Sequence, residues 1–273
     1  MTPSELAFRT AVAAAEQAGV EIRELEEIPD LERVFHLYYD IWHPDPLNAP
    51  VSVEMMRAFS HTGNYVTGAY DGDLLVGASV AFRAAPPAER LHSHVTGAVK
   101  KGAGFALKLH QRAWALAAGF HQVTWTFDPL LRRNAYFNLA KLGAMPYEYL
   151  YDFYGAMPDE VNAGDESDRV LVCWRLYDPH VAEAAAGRPY RPEVPADAEP
   201  GLIDEQGRPV VRRTTSQVVL VQLPEDIEAI RRADPGLAKA WRQALREVLA
   251  GLMDGESALV KGFARGGYVV ERP

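Results

Sequence analysis

The sequence predicts an α/β fold of the α+β kind, a mixed central sheet flanked by helices, on three observations. Two alternating apolar segments, 64–70 and 74–82, flank Asp71-Gly72-Asp73 in the manner of a hairpin. A third segment, about 90–95, follows the Pro-rich link 84–89, so the strands begin as an antiparallel meander. From residue 100 the pattern changes to helix, strand, helix and strand, entered through the glycine-bearing turn Lys100-Lys101-Gly102-Ala103-Gly104.

Each element has a local reason. Residues 4–18 are Ala-rich, with Ser4 as the expected cap and Gly19 as the stop, and Phe8, Val12 and Ala15 on the expected apolar face. Residues 20–25 alternate as a short strand. Pro29-Asp30 opens a helix to about Tyr39, with Leu31, Val34, Phe35 and Tyr38 at helical spacing. Trp42-His43-Pro44-Asp45-Pro46 reads as a stiff aromatic loop, and 53–59 as a helix capped by Ser52. In the helix 104–118, Lys108, Gln111 and Arg112 form a polar stripe opposite Leu109, Ala113 and Leu116. Residues 122–127 carry the pattern of a strand covered on both faces, 130–142 a helix ended by Gly143, and 145–154 and 169–176 two strands around the acidic loop 159–168.

Prolines 189, 192, 195 and 200 mark 188–200 as an extended linker. Beyond it come a strand at 217–223, a helix begun by Pro224-Glu225-Asp226 and restarted by Asp234-Pro235, and a closing hairpin, 258–263 with 268–271. Leu237, Trp241, Leu245, Val248 and Leu252 give the second helix its apolar stripe. The expected organisation is a domain over 1–178 and, over 179–273, a Pro-rich linker with a strand-helix-hairpin extension packing on it.

The 273 residues are 48% hydrophobic, enough for a sizeable core. A net charge of −9 supplies no global basic field for nucleic acid or an anionic membrane. Cys173 is the only cysteine, which excludes an internal disulfide and a Cys-rich metal site. The N-terminus lacks the pattern of a signal peptide and no apolar stretch reaches membrane-spanning length, so a cytoplasmic location is expected.

The order of a strand meander, a Gly-x-Gly turn into a long helix, then strand, helix and two strands resembles the GNAT superfamily of acyl-CoA-dependent N-acyltransferases over roughly 20–176. His92-Ser93-His94, Thr124-Trp125-Thr126-Phe127-Asp128-Pro129-Leu130, Arg133-Asn134-Ala135-Tyr136-Phe137-Asn138-Leu139 with Lys141-Leu142-Gly143-Ala144, and Ala240-Trp241-Arg242 are more specific. They look like a subgroup of large predicted bacterial GNAT proteins. The resemblance implies transfer of an acetyl- or succinyl-type group from acetyl-CoA or another acyl-CoA to a small amine, with amino-acid-like acceptors; a homodimer is compatible with it. The superfamily's turn pattern Gln/Arg-x-x-Gly-x-Gly/Ala is met at Gly102 and Gly104, with Val99 in its first position. Where the superfamily often has a tyrosine on the later helix, alignment on Lys141-Leu142-Gly143 places Leu139, with Tyr136 one turn earlier.

The residues carry this chemistry as follows. Glycines admit close backbone approach, and the first amides of a helix with nearby lysines attract a phosphate or pyrophosphate, which assigns Val99, Lys100, Lys101, Gly102, Ala103, Gly104 and Phe105 to the cofactor. Asn134 joins them by analogy, on the pantetheine arm. His92 and His94 share one face of their strand, and an imidazole is a natural base near neutral pH, so one is expected to accept the amine proton while the other orients it or the acceptor. Tyr136 is the expected acid for the thiolate. Trp42, His43, Asp128 and Arg133 are expected to line the acceptor, with Arg132 a further carboxylate partner. A metal held by the two histidines with Asp128 or Glu54 is the lesser alternative, and no metal is expected. Thioester decarboxylation or hydrolysis, and a non-catalytic binding protein, are the other functions such a site allows.

Overall fold

The computed structural model describes residues 2–44, 49–155 and 165–273. The chain divides into two compact units, Met1–Trp125 with Arg175–Ala186, and Thr126–Trp174 with Gly187–Pro273. Both mix helices with sheet, and no described helix is long and apolar enough to cross a membrane.

In the first unit, helix α1 (Pro3–Ala18) starts one cap earlier than expected. Thr2 accepts from the Glu5 amide, and the Glu5 side chain returns to the Thr2 amide, satisfying two end donors that Ser4 would leave open. Its buried face is Ala7, Ala11 and Ala14, whereas Phe8 and Val12 are exposed. The small face lets α1 lie close to helix α4 (Ala103–Ala117), where a Cβ on Gly102 would come within 3.1 Å of the Ala18 Cβ. Strands β1 (Glu21–Glu24), β2 (Tyr65–Asp71), β3 (Leu74–Arg83) and β4 (Arg90–Ala98) pair antiparallel in sequence order. Strand β5 (Gln122–Phe127) then lies parallel to β4, with α4 as the crossover; its last two residues belong to the second unit. Helices α2 (Ile28–Trp42) and α3 (Val53–His61, capped by Ser52) share one core with Val66, Tyr70, Ala78 and Val80, and α4 shares another with Ala69, Val76 and Ala98. The expected meander, hairpin and change to a parallel pair are therefore present. Asp45 and Pro46 of the aromatic loop lie outside the described residues.

The polar stripe of α4 is buried, with Lys108, Gln111 and Arg112 each at most 4% exposed. Each tip meets an internal partner: Ser93 Oγ, Ser79 Oγ and the Leu176 carbonyl, respectively. The burial is tolerated because each side chain makes a hydrogen bond, although Arg112 Nη1 is buried without a partner among the described residues. Helix α6 (Pro179–Ala185), with no counterpart in the sequence expectation, completes this unit.

The second unit begins with helix α5, whose α-helical turn Arg132–Ala135 passes into a π-helical one, Tyr136–Lys141. Strands β6 (Met145–Leu150) and β7 (Arg169–Arg175) pair antiparallel. Of the acidic loop, 165–168 are described. The C-terminal region is larger than a strand-helix-hairpin. Strands β8 (Glu199–Glu205) and β9 (Arg208–Val211) precede β10 (Val218–Gln222), and with β11 (Leu259–Ala264) and β12 (Gly267–Glu271) they form a five-stranded sheet of order β11-β12-β10-β8-β9. The segment of β8, Glu-Pro-Gly-Leu-Ile-Asp-Glu, carries turn residues and acids, so its strand character comes from its neighbours. It is parallel to β10 on one side and antiparallel to β9 on the other. Helices α7 (Ile227–Ala233) and α8 (Pro235–Leu245) are capped by Asp226 and Asp234, and α8 continues as the π-helical Arg246–Gly255.

Candidate functional site

A fork in the sheet of the first unit organises the candidate site. The β4–β5 ladder covers Arg90↔Gln122, Leu91↔Val123 and His92↔Thr124, and stops there although β4 runs on to Ala98. On its other edge, β4 pairs Ser93 with Ala81 and Val95 with Val80, so His94 is an extra residue in a β-bulge. The bulge bends β4 at the point where β5 leaves it. Both imidazoles pack on Phe82, with ring centroids 5.2 Å (His92) and 6.0 Å (His94) away. Ser93 reaches the opposite face, toward α4.

The two histidines have different partners. His92 Nδ1 lies 3.2 Å from Thr124 Oγ1, its ladder partner on β5. Burial, and then the positive charge available to His94 and Lys108, push the His92 pKa down to about 4, so this ring is neutral at neutral pH. His94 Nε2 donates to the Pro50 carbonyl at 2.8 Å, which leaves Nδ1 as the lone-pair nitrogen of its neutral form. Trp42, at the end of α2, covers the same strand: a Cβ on Gly97 would lie 2.6 Å from its ring. His43 follows as an exposed left-handed cap at φ 43°, its ring 6.4 Å from Tyr39. Of the expected acceptor residues, Trp42 therefore meets β4 and His43 stands at the surface. Among the described residues no three His, Cys, Asp or Glu side chains gather as metal ligands would.

A residue that sequence patterning placed in a polar helix stripe, and not in the site, occupies the apex of the fork. Lys108 reaches from α4 to Ser93 Oγ (2.8 Å) and Gln111 Oε1 (3.2 Å), with its ammonium 3.9 Å from the centre of the Trp125 ring. Ser93 and Trp125 are the residues next after the last paired couple, His92 and Thr124. No carboxylate pairs with this lysine among the described residues, and burial brings its pKa down to about 7. Gln111 Nε2 donates on to Ser79 Oγ (3.3 Å), which is 2.8 Å from Thr96 Oγ1. A buried polar chain thus runs behind β4 from the apex to the unpaired stretch.

The glycine turn closes the open end of β4. Exposed Val99 continues the sheet through its amide, which donates to Val76 O at 2.9 Å. Lys100 turns away, its ammonium 2.7 Å from Asp71 Oδ2 and 2.8 Å from the Gly19 carbonyl, where it caps the end of α1. Lys101 is exposed. Gly102 has φ +91° and faces Ala18, so its glycine is required by the backbone and by α1. Ala103 is buried, and the Phe105 and Ala106 amides return to Gly102 O at 3.0 Å. A Cβ on Gly104 would meet only the Ala98 Cβ, at 3.8 Å. The amides of Lys101, Gly102 and Gly104 carry no hydrogen bond among the described residues, and their donors belong to the start of a 15-residue helix.

The remaining expected site residues belong to the second unit. Asp128 is 5% exposed and saturated: it accepts from Arg231 at 2.6 Å, from Arg242 at 2.8 and 3.0 Å, and from the Leu130 amide at 3.0 Å. Asp165 shares both arginines at 3.0 and 2.9 Å. Burial pushes the Asp128 carboxyl up, but Arg242 and Arg231 outweigh it and hold it well below the usual carboxylate range. The structure thus gives Asp128 an internal ion network in place of the expected acceptor contact. Arg133 is likewise bound, 3.0 Å from Glu228. Asn134 is half-buried at the first turn of α5, and Tyr136 is exposed, edge-on to Phe263 at 6.4 Å.

No family model matches the chain, and no curated protein matches it. Solved structures similar to part of it include the ribosomal-protein-S18-alanine N-acetyltransferase of Escherichia coli, with 14% identity over 57% of this chain and 94% of that one, at a TM-score of 0.46. An N-acetyltransferase of Staphylococcus aureus aligns at 15% identity over 57% and 98%, with a TM-score of 0.45. RimJ of Mycobacterium smegmatis, in complex with CoA-disulfide, aligns at 17% over 63% and 91%, with a TM-score of 0.47.

Proposed function

We propose that the chain is an acyl-CoA-dependent N-acyltransferase that moves an acetyl- or succinyl-type group to a small amine, with an amino acid as the acceptor class. The observation that carries this is the fork. Unpaired β4 backbone, a neutral imidazole at the apex and a helix start with unused amides stand along one strand and its following turn. A thioester lying along the open edge of β4 would find a backbone donor for its carbonyl between His94 and Ala98, and amides for its diphosphate at Lys101–Gly104.

In this proposal the amine nitrogen attacks the thioester carbonyl, the C–S bond breaks, and the sulfur leaves as a thiol after taking a proton. His92 accepts the proton from the amine, its ring held by Thr124. His94 fixes the Pro50 segment beside the acceptor. Lys108 supports the fork from behind. Tyr136 and Asn134, as the family resemblance implies, are proposed as thiolate acid and pantetheine contact. Lys101 takes the electrostatic part first given to the lysine pair, since Lys100 is tied to Asp71.

Titration with acetyl-CoA and succinyl-CoA, followed by thiol release over a panel of amines and amino acids, tests the proposal. Saturable binding with amine-dependent thiol release is expected. Release without amine points to thioester hydrolysis or decarboxylation, binding without release to a non-catalytic protein, and absence of binding removes the cofactor assignment.

A further inference from the structure

The second unit holds a cavity of about 650 Å³, within the range of small-molecule sites. Separate segments build its wall. The Tyr190 amide donates to Ala140 O at 2.8 Å, which lays the 189–192 segment along α5. Gly262 lets the same segment lie on β11, since a Cβ there would come within 3.1 Å of Pro192 and Tyr190. The β11–β12 turn presses on α5, where a Cβ on Gly266 would sit 2.6 Å from Arg132 Nη2.

Arginines line it from each of these segments: Arg132 from α5, Arg191 from the extended segment, and Arg265 from the turn, where it adopts φ 51°. None has a carboxylate partner among the described residues. Arg133 also lines the cavity, but Glu228 neutralises it; Glu225 is the one acid in the lining. In a protein of net charge −9 these arginines, with one acid beside them, make a local positive patch that draws an anion. Tyr136, Tyr190 and Phe263 supply flat apolar surface beside the charges.

We infer that this cavity binds a phosphorylated ligand with a planar ring, a nucleotide, its phosphates gripped by Arg132, Arg191 and Arg265 and its ring against the aromatic wall. Guanidinium forks match phosphate oxygens in pairs, and more than one anionic group is needed to occupy arginines from separate segments. Its arginines have no part in the proposed acyl transfer, Tyr136 alone being common to both readings, and the cavity assigns a second ligand to the molecule.

Calorimetric titration with ATP, AMP, pyrophosphate and adenosine tests it, alongside coenzyme A, on the full chain. ATP should bind, AMP with its single phosphate and pyrophosphate without a ring should each bind about tenfold or more weakly, and adenosine should fail. The double variant Arg191→Ala/Arg265→Ala alters two exposed side chains and should keep its melting temperature while weakening ATP at least about tenfold. Coenzyme A affinity should be unchanged in that variant and lost in Gly104→Trp, which in turn should spare ATP. The inference fails if ATP does not bind at millimolar concentration, or binds the double variant as well as the parent. Pyrophosphate matching ATP would remove the ring contact, and loss of coenzyme A in the double variant would make the cavity part of the thioester site instead.

Discussion

Lys108 illustrates what residue-level patterning can and cannot convey. A lysine three residues before Gln111 and four before Arg112 gives a polar stripe, and a stripe ordinarily faces water. What separates this one is that α4 is packed on the stripe's side as well as on its apolar side, so that all three polar side chains are buried. Folding places the ammonium on Ser93 and over Trp125, a meeting set by the β4–β5 register and not by local spacing. Its lowered pKa has a definite sign. Between about 7 and the ordinary lysine value the unfolded chain binds the extra proton, so this group makes stability rise with pH through that window. Lys108→Met, which leaves no buried charge, should stabilise the protein at pH 6 by about 1–3 kcal/mol and flatten the rise between pH 7 and 10 in thermal unfolding. A destabilised variant would mean that the lysine has an anionic partner. At the histidine pair proposed for catalysis, His92→Ala should lower kcat by about 100-fold with little change in acyl-CoA affinity, as expected for a proton acceptor. His94→Ala should act mainly on the KM of the amine, because His94 anchors Pro50.

At the scale of elements, hairpin, meander and crossover helix were legible because each has a local signature: Asp-Gly at the turn, alternation in the strands, glycine before α4. The bulge at His94 was not, since it exists only in the pairing of β4 with β3. Strands β8 and β9 escaped for a related reason, as proline, glycine and acids hide a strand whose partners are distant in sequence. The two glycines of the turn looked alike in sequence, and the structure separates them. Gly102→Ala should cost about 1–2 kcal/mol through its left-handed backbone and the approach to Ala18, lowering the melting temperature with or without ligand. Gly104 has an ordinary backbone and room for a Cβ, with the Ala98 Cβ at 3.8 Å, so Gly104→Trp should leave the melting temperature nearly unchanged while abolishing stabilisation by coenzyme A. Unchanged stabilisation in that variant would move the diphosphate away from α4.

The molecule as a whole carries two buried charge systems, one in each compact unit, that both make stability rise with pH but in separate windows. In the second unit the motif around Asp128 and the Ala240-Trp241-Arg242 motif, separate in sequence, meet as one network with Arg231 and Asp165. Sequence could show both motifs as distinctive but could not show that one neutralises the other. Removing one side of such a pair strands the remaining charge, so Asp128→Asn should cost about 3–5 kcal/mol at pH 7. Because the folded Asp128 pKa lies below its unfolded value of about 4, its contribution is complete above that value and fades as pH falls through the folded one. Asp168 acts in the same direction: its burial is outweighed by Arg246, the Asp152 amide and Tyr149. Acid should therefore attack the second unit, while the Lys108 penalty in the first is relieved only as pH rises above about 7. Calorimetry from pH 3 to 9 checks this. The difference between parent and Asp128→Asn should shrink below pH 4 and hold constant from 5 to 9, whereas the difference between parent and Lys108→Met should change only above 7. If the Asp128→Asn gap persists undiminished to pH 3, the carboxylate is not what the two arginines stabilise, and the network must draw its strength from Asp165 instead.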